Sequence, residues 1–309
     1  MPFHKLQDVT KDYISDLVLL ESYSHIVCTS WDGSISMYNY DSMNRLTSLR
    51  HKFPLLSTGV VQNGKIYAGS VQGEILEVDL ESEKFGTVSE SAELGISSIC
   101  IQDASVIAGS WDGSLRIVDS RNNNTQFETT LGHKVLSMDC HENKLCISLT
   151  AGEVKIFDLR KLGVPVSRKA GLKFQARDIK IMPSYEGYVQ SSLDGRVAVE
   201  YFDHEEKKFA FRCHRMSLQD AQFVFPVNTI CFKPHSSTLF TGGSDGRIYA
   251  WNLSTRKKSD ELPKLDSSVV KVACNDRVVV AATSDDSFKT SATVEDLPLQ
   301  PSDIYIKRL

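Results

Sequence analysis

A short turn signature recurs seven times along this chain at nearly constant spacing. It reads Ser30-Trp31-Asp32-Gly33, Ser70-Val71-Gln72-Gly73, Ser110-Trp111-Asp112-Gly113, Thr150-Ala151-Gly152, Ser192-Leu193-Asp194-Gly195, Ser244-Asp245-Gly246 and Ser284-Asp285-Asp286. From Gly33 through Gly73, Gly113, Gly152, Gly195 and Gly246 to Asp286, the steps are 40, 40, 39, 43, 51 and 40 residues. A period of about 40–45 residues, each unit holding strand, turn and strand, is the mark of a β-propeller. Seven units predict seven blades, an all-β fold whose turns project from two flat faces.

The flanks of each turn agree. Short β-branched or apolar runs precede them, such as His25-Ile26-Val27-Cys28, Lys65-Ile66-Tyr67-Ala68 and Arg277-Val278-Val279-Val280. Apolar and polar residues alternate after them, as at Ile35 and Met37, Leu115 and Ile117, and Val197 and Val199. Period two marks a strand with one covered face. Asp-Gly between two such runs is a hairpin turn, because the turn requires positive φ. With strands lettered a to d from the axis outward, the seven turns are the b–c hairpins. The repeat is degenerate: only Gly132-His133 and Trp251-Asn252 approach the usual Gly-His and Trp-Asp signatures. In the seventh unit a polar stretch, 287–302, separates the turn from Asp303-Ile304-Tyr305-Ile306-Lys307-Arg308. That last run is predicted to be strand c, with strand d supplied by Phe3–Gln7 of the N-terminus. Such a clasp removes two open sheet edges. The stretch itself is either a long b–c loop or an insertion without a task.

Seven units account for all 309 residues, so residues 1–309 are expected to form a single propeller. The formal charge of −4 provides no global cationic field for nucleic acid. No apolar run approaches the roughly 20 residues of a membrane span, and Met1-Pro2-Phe3-His4-Lys5 opens no signal-peptide core. The seven cysteines contain no Cys-x-x-Cys pair, and several fall in predicted strands. They read as reduced thiols of a cytosolic or nuclear protein.

There is no phosphate-binding Gly-rich loop and no His-Glu-x-x-His. His204, His214 and His235 lack metal-ligand spacing, and Asp194 and Asp245 are explained by their turns. Neither an enzymatic activity nor a cofactor is expected. Trp31 and Trp111 share a register just before Asp-Gly. A hairpin tip offers an indole little burial, so the pair either anchors a partner on the face of the b–c and d–a loops or packs on neighbouring blades. Arg196 and Arg247 also share a register, directly after the turn glycine. They are expected near the central channel, where an arginine fork suits a carboxylate or phosphate; the alternative is a solvated charge at a strand start. In Phe209-Ala210-Phe211-Arg212-Cys213-His214-Arg215, alternation sets the two phenylalanines on one side and Arg212 with His214 on the other. Lys233 and His235 follow in the next unit, and together these residues could clamp a phosphate.

Several strings resemble the WD-repeat spindle-checkpoint family known as budding uninhibited by benzimidazole. They are Ser30-Trp31-Asp32-Gly33, Val71-Gln72-Gly73-Glu74-Ile75-Leu76, Gly195-Arg196-Val197-Ala198-Val199-Glu200-Tyr201, Phe209 to Arg215 and Pro226-Val227-Asn228. Ser284 to Thr290 resembles the fungal members, and the likeness runs from about Asp12 to Ile306. The Gly-Arg-Val-Ala-Val-Glu-Tyr string is shared with mRNA-export propellers of the Rae/Gle type. The resemblance implies a non-catalytic adaptor that is a monomeric propeller within a heteromeric complex. Its implied partners are GLEBS motifs of the checkpoint kinase and its kinase-like or Mad-type relative, and phosphorylated Met-Glu-Leu-Thr repeats of the kinetochore scaffold. The implied location is the nucleus and kinetochore, with the cytoplasm as a second compartment. Carried over by position, the GLEBS surface comprises Trp31, Trp111 and Arg196, with Phe174, Gln175, Arg177 and Arg247 assigned to the same face. The phosphothreonine pocket comprises Arg212 and His214, completed from the sixth unit by Lys233 or His235.

Overall fold

A computed structural model describes residues 2–20, 23–89, 91–219, 221–287 and 300–309. Among the described residues the strands assemble into seven four-stranded antiparallel sheets, each running from the inside outward, and one two-stranded hairpin. Blade one consists of Ile14–Leu20, His25–Ser30, Ser34–Asn39 and Asn44–Arg50, so its b–c turn is the first of the seven signatures. The later signatures occupy the same position in blades two to seven. The turn glycines carry the positive φ that the hairpin demands, 84° at Gly33 and 83° at Gly73.

Blade seven closes the ring as the sequence predicted. It is built from Val269–Cys274, Val278–Thr283, Asp303–Arg308 and, outermost, His4–Lys5. His4 pairs with Ile306 and Lys5 with Tyr305, while the Leu6 amide donates to the Ile304 carbonyl at 2.8 Å. Residues 288–299, most of the stretch read as a loop or insertion, lie outside the described residues, as does the Phe288-Lys289-Thr290 part of the fungal string. Leu6 is 2% exposed and joins a core cluster with Ile14, Ile26, Val280 and Ile304. Removal of residues 1–7 is therefore expected to cost about 2 kcal/mol or more, the burial of one leucine alone contributing roughly that amount. It also bares the Asp303–Arg308 edge. Thermal melts and light scattering check this; an unchanged melting temperature without self-association contradicts it.

The core lies in layers between blades. One layer interleaves Val27 and Ile35 of blade one with Leu55, Ala68 and Leu76 of blade two. Nearer the axis, polar side chains on the seven inner strands tie each blade to the next. Asp16 accepts from the Thr58 amide at 3.0 Å, Ser57 donates to the Ile96 carbonyl, and Ser98 accepts from the Met138 amide. Ser137 donates to Asp178, Asp178 accepts from the Ile230 amide, and Thr229 accepts from the Val272 amide. Lys271 pairs with Asp16 at 3.0 Å and completes the circle. Each inner strand also carries a register shift one residue earlier, at Ser15, Leu56, Ser97, Leu136, Arg177, Asn228 and Val270. A bulge redirects a side chain out of the ladder, here into the mouth of the channel. All seven cysteines are free thiols, four of them buried.

Candidate functional site

The seven bulged residues, with Trp31 and Trp111, line a funnel of about 680 Å³ on the b–c face. The Trp31 amide donates to the Tyr13 carbonyl and the Trp111 amide to the Gly95 carbonyl, both at 3.0 Å, so each b–c turn is pinned to the entry of its own inner strand. In this register the blades carry Trp31, Val71, Trp111, Thr150, Leu193, Ser244 and Ser284. The rim is thus apolar on blades one, two, three and five, is interrupted by Thr150 on blade four, and carries a hydroxyl arc on blades six and seven. Trp31 is 39% exposed, whereas Trp111 is half-buried and a Cβ at Gly95 would come within 3.2 Å of its ring. The hydroxyl arc is pre-ordered: Ser244 donates to Asp286 at 2.6 Å, Ser268 donates to the same carboxylate, and Ser284 meets Ser302 at 2.7 Å.

Arg177 stands between the two arcs. Its Nε is buried with no hydrogen-bond partner among the described residues, and it bonds the Tyr13 phenol. Burial pushes that phenol up to about 12, with Arg177 pulling against it. Asp32 anchors the first turn by accepting from the Ser34 amide at 2.9 Å and from Thr10 at 3.1 Å. Burial opposes its ionisation, but the bonds from Ser34, Thr10 and Ser30 outweigh burial and hold the carboxyl below its ordinary value. The funnel offers two indoles, the cations Lys11, Arg177 and Lys271, the carboxylates Asp12 and Asp285, and an arc of hydroxyls. That combination suits a peptide with one apolar face and a carboxylate.

Of the residues singled out in the sequence, Trp31, Trp111, Gln175 and Arg177 converge on this funnel. Phe174, 53% exposed, lines an adjoining cavity with Thr150, Lys173 and Gln175. Arg196 and Arg247 depart from the expectation of a position near the channel. Arg196 opens the third strand of blade five and Arg247 immediately precedes that of blade six, both away from the axis, where Arg196 pairs with Asp194 at 2.8 Å and Arg247 with Glu261. Arg212 sits directly across from Arg196 on the outer strand Phe209–Arg212, is exposed, and has no ion-pair partner among the described residues.

The expected phosphate cluster of Arg212, His214, Lys233 and His235 does not assemble. Lys233 and His235 occupy the a–b turn of blade six, whereas Arg212 lies beside a b–c turn. The two faces are separated by the length of a six-residue strand, about 20 Å. His214 has φ 49°, which turns it out of the alternation and into blade six, where it is 1% exposed. Its Nδ1 lies 2.8 Å from Asp245 and its Nε2 2.9 Å from Thr241, whose hydroxyl also accepts from Trp251 Nε1 at 3.0 Å. The Asp245 carboxylate fixes the tautomer: Nδ1–H donates to it, Nε2 accepts from Thr241, and the chain Trp251–Thr241–His214–Asp245 is saturated. The signal for this network was Gly243, which stands where other blades have Ser30, Ser70, Ser110 and Ser192. A Cβ there would come within 2.3 Å of His214 Nδ1.

A family model described as "WD domain, G-beta repeat" matches residues 216–252, which include Thr241, Asp245 and Trp251 of this network. The solved structure of U3-55K superimposes with a TM-score of 0.84 at 15% identity, covering 99% of this chain and 98% of that one. Fold and repeat thus define the class, a WD-repeat β-propeller. Among curated proteins, the chain is 28% identical to "Mitotic checkpoint protein bub3" of Dictyostelium discoideum over 99% of its own length and 95% of that protein's. It is 26% identical to a "Poly(A)+ RNA export protein" of Schizosaccharomyces pombe over 84% and 77% of the two lengths. The chain is thus similar to the bub3-type mitotic checkpoint proteins along nearly its whole length.

Proposed function

We infer that this chain, acting as a single propeller over residues 1–309, is a non-catalytic adaptor of the spindle assembly checkpoint in the nucleus and at the kinetochore. The observation that carries the reading is the gathering of Trp31, Trp111, Gln175 and Arg177 around one funnel. That funnel takes the GLEBS segment of a checkpoint kinase or its relative, with apolar residues against the indoles and a carboxylate on Arg177. Arg212 is the anchor for a phosphothreonine in the kinetochore scaffold's Met-Glu-Leu-Thr repeats. It is an exposed cation across from Arg196, whose charge is met by Asp194, so Arg212 keeps its own donors for an incoming anion.

Calorimetric titration with a GLEBS peptide and with phosphorylated and unphosphorylated Met-Glu-Leu-Thr peptides tests both halves. The phosphorylated form is expected to bind at least tenfold more tightly, and Arg212→Ala should erase that difference while leaving GLEBS binding intact. Lys233→Ala should leave the difference unchanged, since Lys233 lies on the other face. Equal affinity of the unaltered protein for the two peptides removes the phosphate reading. The export protein among the relatives favours a second reading, an RNA-export adaptor. Binding of single-stranded RNA that weakens steeply with salt would support it.

A further inference from the structure

Four of the seven cysteines sit on inner strands near the end of the channel away from the funnel: Cys100 on blade three, Cys140 on blade four, Cys231 on blade six and Cys274 on blade seven. Cys140, Cys231 and Cys274 line a second cavity there, of about 490 Å³. Counted from the bulges, a side chain on one inner strand repeatedly meets the residue one step further along the next. Asp16 accepts from the Thr58 amide, Ser98 from Met138, Asp139 from Ile181, Asp178 from Ile230 and Thr229 from Val272. Cys100 and Cys140 stand in the same step, the third residue past the bulge at Ser97 and the fourth past the bulge at Leu136. Cys231 and Cys274 repeat it between blades six and seven.

Local geometry brings the first pair together. Ser98 and Cys100 are two residues apart, so they emerge on the same side of their strand. The Ser98 hydroxyl accepts from the Met138 amide at 3.2 Å. Serine and cysteine side chains have the same number of heavy atoms, so Cys100 points at Cys140 as Ser98 points at Met138. The strands approach as closely as a disulfide requires, since a serine side chain spans the gap two residues earlier. Cys140 donates to the Ile101 carbonyl at 3.3 Å, and Cys100 donates to the Cys140 sulfur. Both thiols pack against one apolar cluster that includes Met138 and Leu145.

We propose that Cys100 and Cys140 form an oxidation site for hydrogen peroxide, which closes them into a disulfide that ties blade three to blade four. Cys140 lines the cavity, through which a small oxidant reaches it, whereas Cys100 does not. Its bond to Cys140, together with burial, holds the Cys100 thiol well above its ordinary value, so the first attack falls to Cys140. The Cys140 sulfur attacks one peroxide oxygen, the O–O bond breaks, and the departing hydroxide leaves as water with the thiol's proton. The Cys100 sulfur then attacks the resulting sulfenic sulfur. The S–S bond forms, the S–O bond breaks, and a second water leaves with the Cys100 proton. The two sulfurs together give up two electrons, and the peroxide takes both.

Peroxide treatment of the folded protein, alkylation of the remaining thiols and tryptic mass spectrometry read the outcome. Cleavage at Lys134 and Lys144 separates Cys140 from Cys100 and Cys146. The unaltered protein is expected to yield a linked Cys100–Cys140 peptide that reductant abolishes. Its melting temperature should rise by a few degrees, because the bond closes a loop of about 40 residues. Cys100→Ser should form no link and leave Cys140 as a sulfenic acid that dimedone captures. Cys140→Ser should form neither the link nor a dimedone adduct at Cys100. The absence of a linked peptide from the folded protein overturns the proposal, as does a link that forms only in urea. A Cys231–Cys274 link without one at Cys100–Cys140 also overturns it.

Discussion

His214→Ala is expected to destabilise the fold by about 3 kcal/mol or more and leave phosphopeptide binding by the folded protein unchanged. The substitution empties a fully buried site and removes one hydrogen bond from the Asp245 carboxylate, which keeps the Arg247 amide, and one from the Thr241 hydroxyl, which keeps Trp251 Nε1; a buried large-to-small change alone costs about 2–5 kcal/mol. Urea denaturation gives the stability and calorimetry the binding. Other blades suggest a repair: Gly243→Ser in the His214→Ala background fills part of the space as Ser30 and Ser110 do and should recover some stability. A His214→Ala protein of full stability that no longer binds phosphopeptide would return His214 to the ligand site.

Trp31→Ala and Trp111→Ala are each expected to weaken GLEBS peptide binding by about 2 kcal/mol, roughly thirtyfold. Their effects on stability should separate them. Trp31, more than a third exposed, should leave the melting temperature within the scatter of a surface substitution. Trp111, packed over Gly95, should lower it by a few degrees. Early melting of the Trp31 variant would show that its indole holds blades together instead of binding a partner.

The propeller was legible because its signal is local and repeated. Asp-Gly between alternating runs dictates a hairpin from four residues, and seven copies fix the blade number. The clasp was legible for a related reason: an orphan strand at the C-terminus needs an outer neighbour, and Phe3–Gln7 was left over. The funnel was half legible. Trp31 and Trp111 share a register that can be read directly. The ring from Ser15 to Val270 depends on bulges, which leave no trace in residue spacing. Period-two alternation failed at His214 because one residue with φ 49° reverses the side on which a side chain emerges. It failed for Lys233 and His235 because closeness in sequence across a strand is distance in space. Arg196 and Arg247 were set too near the axis because the turn register gives the face and not the radius.

The clasp has a mechanical consequence. His4–Lys5 and Asp303–Arg308 are antiparallel neighbours, so both chain ends leave the molecule from the same end of one ladder. Tension between the ends peels that ladder open rung by rung instead of shearing all its rungs together. The seam is held by Leu6 buried beneath it, yet it is the one that yields first under load. Force transmitted through partners seated on the funnel bypasses it, whereas a tether fused to either end pulls straight on the zipper.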